Sequence, residues 1–504
     1  MRTNKFTLLS LVCYVGFLGA ALSWETSFAS VGSKASNVPN VKKGFELRVK
    51  INNYPDSLQH VVLLGRYYGN IQTITDSAKY DAKTNTYLFS QEEPKGGGLY
   101  LLISADKRYA EFVLDKDQHL SIETTYPNLG EDPKFSNSPE NIVYMDFAEK
   151  GKTEYLKMEK LQKEYKTALD SNDNTKIGKL KEAITIHYKK MDEQKNRFAE
   201  TYPEHLISAI FKAQKEIEVP EAPTTIPDSL KREWQYEYYK NHYFDNIDLC
   251  DDRLLRTPIF HQRFDNFLEK VLYMQSPDTI KYAVERLIEK CRCNKELFKY
   301  TIWYPVDKYQ RSDIVGQDAI WVYLAKKYYA TGEAYWVSPA IVENFTKRIS
   351  RVEPLLIGNR PPEFACPDST VDTPNENLIS VFSSPKRYTV LIFWSMSCGH
   401  CKTSLPQWLD FYHKKGKELD VEIIAICKDF DVPAWKKYIQ DHGFDWINLN
   451  GKTATVDYND LWDIQTTPTV YIIDRQKRIV TKRIDSEYAE NFIKNWNLIY
   501  YNEH

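Results

Sequence analysis

Near its N-terminal end the chain alternates apolar and polar residues with a period of two. Positions 45–51 place Phe, Leu, Val and Ile at odd numbers and charged residues at even numbers, which predicts a strand with one buried face. Further short apolar runs follow between turn residues, at 61–64, 87–89, 99–103, 110–114 and 120–123. Short strands at such regular spacing predict a small antiparallel β-sandwich domain, which we place at residues 44–130.

The pattern changes to a helical period after residue 130. Ser138 followed by Pro139 is a typical helix start, because serine caps free N–H groups and proline fits the first turn. From there to about residue 213 apolar residues recur at helical spacing among lysines and glutamates, and the polar stretch 172–174 divides them into two helices. Helical spacing continues further along the chain, so we predict an all-helical middle domain at residues 131–352.

The remaining residues, 353–504, alternate strand and helix patterns. The run 389–394 is apolar and rich in strand-forming residues, and a helix pattern follows it. Further strands are expected at 421–427 and 469–473, with a last strand pairing back and a final amphipathic helix. This order predicts an α/β domain whose mixed sheet is covered on both faces.

The composition and the first residues indicate where in the cell the protein is located. The 504 residues contain 67 Lys and Arg against 69 Asp and Glu, so no basic surface for nucleic acid or anionic membrane is predicted. Residues 1–29 have the basic start and short apolar run of a secretory signal peptide cut after Ala29, and 30–43 are a polar linker. We expect a protein exported to the periplasm or cell envelope, with membrane association possible but not predicted.

Export would place the cysteines where disulfides persist. Apart from a closely spaced pair at 398 and 401, the exported chain would keep five cysteines, at 250, 291, 293, 366 and 427. Because five is odd, at least one thiol is unpaired or pairs transiently. Cys250 could bridge to Cys291 or to Cys293, and the spacing does not choose between these pairings or unpaired burial.

The pair Cys398 and Cys401 is the candidate for chemistry. The strand at 389–394 ends shortly before Cys398-Gly399-His400-Cys401, so Cys398 would stand at the N-terminus of the next helix. The unpaired N–H groups and the dipole of that helix favour a thiolate there, and a protonated His400 would add a second stabilising charge. Cys401 would lie one turn further, within reach of Cys398. The pattern predicts a redox dithiol in which Cys398 attacks and Cys401 resolves.

Two other uses of this pair are less well supported. A zinc site needs a second pair of ligands at suitable spacing, and Cys291 and Cys293 have only one residue between them. An inert structural disulfide would waste the activating position at a helix N-terminus. The acidic residues between 245 and 252 are more simply loop caps than metal ligands. We therefore predict no metal and no organic cofactor.

The stretch Trp394–Cys401, with Pro406 and the pair Thr467-Pro468 downstream, resembles the thioredoxin superfamily. Within it the sequence is most similar to TlpA/ResA-type extracytoplasmic thiol-disulfide oxidoreductases, over roughly the last 150 residues. The resemblance implies that Cys398 is the nucleophile, that Cys401 resolves, and that the bond before Pro468 is cis. It also implies a substrate-binding edge formed by Thr467, Pro468 and Trp394.

Two carboxylates common in these families are missing from this sequence. Ile392 stands where thioredoxins have a buried aspartate, and Ser404 stands where the ResA type commonly has a glutamate. The proton of Cys401 must then pass to water, to His400 or to another group. This departure leaves the dithiol chemistry in place and puts the rate of its second step in question.

The function implied by the resemblance is disulfide exchange with protein clients, with an unidentified redox partner protein to recharge the dithiol. One alternative is a non-enzymatic envelope scaffold that carries a vestigial thioredoxin-like domain. Another is a peroxidase of the peroxiredoxin kind, although Ser395 occupies the threonine position of its T-x-x-C pattern. The direction of electron transfer stays open, with His400 favouring an oxidising couple.

Overall fold

The computed structural model describes residues 44–368 and 378–501. The predicted signal peptide and the linker 30–43 lie outside the described residues. Those described form two compact units, one comprising residues 44–274 with 291–297, and the other 275–290 with residues from 298 onward. The division falls inside the helical region, so it does not decide the domain limits predicted at 130 and 352.

An eight-stranded sheet begins the first unit, and its order is β6-β5-β2-β3-β4-β1-β7-β8. The strands are β1 Phe45–Asn52, β2 Val61–Tyr68, β3 Ile71–Asp81, β4 Thr86–Gln91, β5 Gly98–Ile103, β6 Tyr109–Leu114, β7 His119–Thr125 and β8 Lys134–Ser136. The predicted alternation in β1 is confirmed, because Phe45, Leu47 and Val49 are buried in the core. Buried side chains from β2 to β7 join that core, with Ala78 as the contribution of β3.

The sheet differs from the predicted antiparallel arrangement at one pair of strands. β1 lies parallel to β7, while the other neighbouring pairs are antiparallel. Since the chain reaches β7 only after five intervening strands, no hairpin joins it to β1 and the pairing direction is free to be parallel. The sequence patterns of the two strands carry no sign of this direction.

The helical region follows the start and break signals of the sequence. Its helices are α1 Pro139–Asp170, α2 Asn174–Thr201, α3 Leu206–Gln214, α4 Lys231–His242, α5 Pro258–Asn266, α6 Pro277–Lys290, α7 Lys295–Gln310, α8 Asp318–Leu324 and α9 Pro339–Val352. Asp173 caps α2 by accepting from the backbone N–H of Lys176 at 3.0 Å. At α1 the hydroxyl of Ser138 instead accepts from the Asn141 side chain, 2.7 Å away.

A disulfide in the first unit joins Cys250 to Cys293, residues 43 positions apart. It settles the pairing that the sequence left open, and Cys291 is outside the bridge and buried. The bridge connects the loop after α4 to the turn before α7. A crosslink over a loop of this length restricts the unfolded chain considerably.

Replacing both bridge cysteines by serine is expected to lower the stability of the first unit by about 3 kcal/mol, mainly because the unfolded chain regains freedom. Urea dependence of hydrogen exchange in peptides from α4 and α5 would measure this loss. A reductant should destabilise the wild-type unit to a similar extent and leave the double variant unchanged. Equal stability of variant and wild type would contradict the expectation.

The C-terminal part of the second unit contains a five-stranded sheet of order β13-β12-β11-β14-β15. Its strands are β11 Tyr388–Trp394, β12 Val421–Cys427, β13 Ile447–Asn450, β14 Thr469–Asp474 and β15 Ile479–Lys482, and a small hairpin of β9 Ala365–Pro367 and β10 Leu378–Ser380 precedes them. β11, β12 and β13 are parallel to one another. β14 pairs antiparallel with β11, and β15 pairs antiparallel with β14. The mixed α/β sheet predicted from the sequence is therefore confirmed.

β11 lies at the centre of this sheet, and each of its seven residues is buried. Val390, Ile392 and Trp394 enter the core on one face, and Leu391 and Phe393 enter the core on the other. The helices that accompany the sheet are α10 Gly399–Phe411, α11 Val432–His442, α12 Tyr458–Leu461 and α13 Ser486–Tyr501. A fully buried strand covered on both faces gives α10 a rigid base at its N-terminus.

No helix within the described ranges is long and apolar enough to cross a membrane.

Candidate active site

The N-terminus of α10 brings the two predicted sulfurs together. β11 ends at Trp394, three residues form a turn, and Cys398 is the N-cap of the helix, with its backbone still extended. Its Sγ accepts the backbone N–H of Cys401 at 3.3 Å. The sulfur therefore takes the place of the side-chain oxygen that usually caps a helix, where negative charge is favoured. Both cysteines are free thiols.

A second segment, the turn before β14, contacts the same sulfur. The thiol of Cys398 donates to the backbone carbonyl oxygen of Thr467 at 3.0 Å. The bond between Thr467 and Pro468 is cis, as the resemblance implied. Thr467 and Pro468 are half-buried, so this turn borders the sulfur and remains accessible from outside.

The two thiols have opposite electrostatic surroundings. Partial burial opposes ionisation of Cys398, but hydrogen bonds with Cys401 and Thr467 and the N–H groups that begin α10 outweigh it and lower its pKa. Burial and the neighbouring Cys398 raise the pKa of Cys401 to about 12. Cys398 is also partly exposed, while Cys401 is 1% exposed. The accessible sulfur is thus the better thiolate, which suits an attacking role.

His400 contributes to the site through its main chain. Its backbone N–H hydrogen-bonds to the Cys398 sulfur and helps to lower the pKa of that thiol. The residue itself is exposed, on the first turn of α10. A stabilising charge on its imidazole stays a prediction.

Asp429 is a site residue that our sequence interpretation did not include. Its carboxylate accepts from the hydroxyl of Ser395 at 2.9 Å and from the backbone N–H of Met396 at 2.5 Å. The thiol of Cys427 donates to the same carboxylate at 3.4 Å. Asp429 therefore fixes the turn that carries the chain from β11 to Cys398. An aspartate two residues beyond a strand that ends beside β11 was the available signal.

Exchanging Asp429 for asparagine is expected to destabilise the second unit by about 2 kcal/mol, because the amide loses one acceptor while the donors facing it remain. The loosened turn should also slow alkylation of Cys398 several-fold. The midpoint of the pH profile of alkylation should not move, because none of the hydrogen bonds described for the Cys398 sulfur involves Asp429. Urea unfolding and iodoacetamide rates would measure both effects.

Asp431→Asn is the matched control for this change. Asp431 caps α11 by accepting from the N–H of Ala434 at 3.0 Å, and asparagine caps a helix about as well. The control should therefore keep wild-type stability and reactivity. A similar behaviour of the two variants would show that Asp429 has no particular role in the turn.

One predicted contact residue needs correction. Trp394, which we expected at the substrate-binding edge, is fully buried at the end of β11. Its ring packs against Tyr438 and Phe444, with centroids 5.5 and 6.2 Å away. The tryptophan supports the sheet beneath the site and offers no surface to a substrate. The apolar strand pattern that ends in this residue already implied burial.

The remaining cysteines of the sheet domain are buried away from solvent. Cys427 pairs with Trp394 in the parallel register of β11 and β12, and burial raises its pKa. Burial likewise raises the pKa of Cys366 to about 12. Buried thiols with raised pKa values are poor nucleophiles, which fits a packing role.

The missing family carboxylates are not replaced at their own positions. Ile392 is fully buried within β11 and Ser404 is half-buried on α10. Asp429 lies instead at the end of β12.

In residues 44–368 and 378–501 no cluster of three or more His, Cys, Asp or Glu side chains could hold a metal ion. In the acidic loop, Asp248 and Asp251 accept backbone N–H groups of Cys250 and Arg253.

Comparisons with known proteins give the domain its family. A family model described as thioredoxin-like matches residues 386–479, the segment that holds both thiols and the turn at Thr467. A domain of unknown function, DUF5106, matches residues 155–331 in the helical region. No curated protein matches the chain.

Several solved structures are similar in part. A thioredoxin-like protein from Bacteroides caccae is 18% identical and covers 56% of this chain and 99% of its own, with a TM-score of 0.44. A domain of a possible thiol-disulfide isomerase from Cytophaga hutchinsonii is 25% identical and covers 30% and 99%, with a TM-score of 0.27. The thioredoxin domain of a thiol-disulfide oxidoreductase from Bacteroides vulgatus is 22% identical and covers 28% and 96%, with a TM-score of 0.25.

The family match and the geometry of the C-terminal sheet agree on the same segment. It runs from just before β11 to the start of β15 and includes α10 with its two thiols. The C-terminal part of this multidomain chain, after an N-terminal β-sheet domain and a helical middle region, therefore belongs to the thioredoxin-like family.

Proposed function

We propose that this protein is an exported thiol-disulfide oxidoreductase that exchanges disulfides with protein clients through Cys398 and Cys401. The observation that carries the proposal is the asymmetry of the two thiols. Cys398 caps α10, is accessible and has a lowered pKa, while Cys401 one turn away is buried with a raised pKa. An inert pair would have no use for this difference.

The exchange begins with attack by the Cys398 thiolate on one sulfur of a client disulfide. A bond forms between Cys398 and that sulfur, the client disulfide breaks, and the second client sulfur leaves as a thiolate. Cys401 then loses its proton and attacks the Cys398 sulfur, which releases the first client sulfur as a thiolate. The client gains two electrons, and the protein ends with a disulfide between Cys398 and Cys401.

The reverse sequence transfers the disulfide to a reduced client. Which direction prevails depends on the redox partner protein that restores the starting form. The carbonyl of Thr467 beside Cys398 lies at the edge where an extended client segment would pass. In the forward direction the electrons come, on the protein, from the sulfurs of Cys398 and Cys401, and on the client they are taken up by the two sulfurs of the broken disulfide.

A trapping experiment tests this function. The Cys401→Ala variant keeps the attacking sulfur but cannot resolve, so clients should accumulate on Cys398 and be identified by mass spectrometry of the envelope fraction. The matched control is the variant with both cysteines replaced by alanine, which should hold none. An empty trap would favour a scaffold role, and rapid consumption of peroxide by the reduced protein would favour a peroxidase.

Export is part of the proposal and has its own readout. The apolar run before Ala29 predicts removal of the first 29 residues. N-terminal sequencing of the protein from the envelope fraction should then begin at Ser30. A full-length protein in the cytosol would place the dithiol in a reducing compartment and remove the proposed setting.

A further inference from the structure

A cavity of about 490 Å³ in the second unit adjoins the redox site. Thr466 and Pro468, on either side of the Thr467 that contacts Cys398, line one wall, and Ser404 on α10 lies beside them. The cavity therefore begins one residue from the contact with the reactive sulfur. Its volume lies within the range of pockets that hold ligands.

The facing wall comes from the helical region, at the turn between α7 and α8. Ile314 and Val315 line the cavity and are 59% and 40% exposed. The turn that presents them is ordered by its own hydrogen bonds: the Ser312 hydroxyl donates to Gln317 at 2.7 Å and accepts from the backbone N–H of Ile314 at 3.1 Å. Two neighbouring aliphatic side chains are thus held in contact with water beside a reactive site.

The charges around the cavity largely cancel. Three basic and four acidic side chains line it, at Arg348, Lys482, Arg483, Asp313, Asp318, Asp463 and Asp485. The buried Lys482 forms an ion pair with Asp318 and donates to the carbonyl oxygen of Leu355 at 2.7 Å. Arg348 lies over the ring of Trp321, 5.3 Å from its centroid. The lining is therefore largely polar with nearly balanced charges, and Ile314 and Val315 are an exposed aliphatic part of it.

We infer that this cavity receives an apolar side chain of the client peptide, and that the turn at Ile314 and Val315 selects for it. This inference rests on the proposed function. With the client cysteine at Cys398, residues one to three positions away lie about 3 to 10 Å along an extended chain, which passes Pro468 and faces the turn. The helical region thereby supplies a specificity wall to the thioredoxin-like domain.

The turn can be tested with defined peptides. The probes are alanine nonapeptides whose central cysteine forms a mixed disulfide with thionitrobenzoate, with leucine or aspartate at the second position on each side. Attack of Cys398 on the peptide sulfur releases thionitrobenzoate, which is measured by its absorbance. Glutathione disulfide is the control probe, because it needs Cys398 but carries no large apolar side chain.

The wild-type protein should react at least about tenfold faster with the leucine peptide than with the aspartate peptide, as expected for burial of an apolar side chain. Ile314→Asp with Val315→Asp should remove this preference, and lysine at both positions should reverse it. Both variants should keep the wild-type rate with glutathione disulfide within twofold. Ile341→Asp, a change at an exposed isoleucine outside the cavity, should keep the preference.

The outcomes separate this inference from the function beneath it. If the wild type reacts with glutathione disulfide but its preference survives both double variants, the inference is wrong and the function stands. Equal loss of reactivity toward peptides and glutathione disulfide in the variants would also overturn it, since the turn would then act on the dithiol itself. A wild type that reacts with neither probe would remove the function and the inference together.

Discussion

Replacement of Cys398 by serine is expected to lower the rate of disulfide exchange roughly a thousandfold or more, to the background level, because a neutral hydroxyl cannot replace the thiolate. Cys401→Ser should behave differently. The accessible sulfur remains, so the first attack should proceed at close to the wild-type rate and stop at the mixed disulfide. Rapid mixing with a fluorescent peptide disulfide, followed by gel analysis of the adduct, distinguishes the two results.

Cys366→Ser and Cys427→Ser are the controls for this experiment. Both residues are buried and burial raises both pKa values, so neither variant should change the exchange rate by more than a few-fold. Activity retained in Cys398→Ser and lost in Cys427→Ser would assign the chemistry to a different sulfur. It would also show that the position of Cys398 at the N-cap of α10 does not determine which sulfur reacts.

The two steps of the cycle are expected to respond differently to pH. The lowered pKa of Cys398 means that its attack should already level off below the ordinary titration range of thiols. Burial, the main cause of the raised pKa of Cys401, persists in the mixed disulfide, so that resolution needs a scarce thiolate. Below a pKa of about 12, each added pH unit should speed resolution roughly tenfold.

Between pH 7 and 9 the lifetime of the mixed disulfide should therefore fall about a hundredfold. Stopped-flow release of a fluorescent client peptide from preformed adduct would measure it directly. The Cys401→Ser adduct is the control and should stay intact over the same range. A lifetime that does not change with pH would mean that another group takes the proton of Cys401, and would show that its burial does not limit the reaction.

The parts of the fold that follow local rules were predictable from the sequence. The alternation in β1 places its apolar residues in the core, and the apolar run that predicted β11 forms the buried central strand. The start of α1 at Pro139 and the break before α2 also follow their signals. In each case the responsible interaction lies within a few residues along the chain, where pattern and propensity act.

Other features depend on contacts between distant segments. β3 escaped prediction because only Ala78 of its eleven residues is buried, so the strand has no apolar period to reveal it. Asp429 contacts Ser395 and Met396 because parallel β11 and β12 end at the same edge, with Trp394 opposite Cys427. No local motif in the sequence encodes the register of the two strands or the contact of Asp429 with the turn after β11.

The cavity beside Pro468 also depends on contacts between segments that are far apart in the sequence. Ile314 and Val315 lie in a short turn between two helices, about 150 residues before the cis bond that they face. From the sequence they are two aliphatic residues in an unremarkable loop. Only the packing of α7, α8 and α9 beside the C-terminal sheet gives them a place in the site.

The most direct measurement is equilibration of the full chain with glutathione buffers of graded redox ratio, followed by trapping of thiols and mass spectrometry of each cysteine-containing peptide. Among the cysteines of the C-terminal sheet domain we predict one reversible two-electron transition, confined to the peptide that holds Cys398 and Cys401, with Cys366 and Cys427 remaining thiols throughout; the Cys250–Cys293 bridge of the first unit is followed separately. Absence of a bond between positions 398 and 401 at every ratio, or a disulfide that forms instead between other cysteines of that domain, would contradict the assignment of this helix N-terminus as a redox centre.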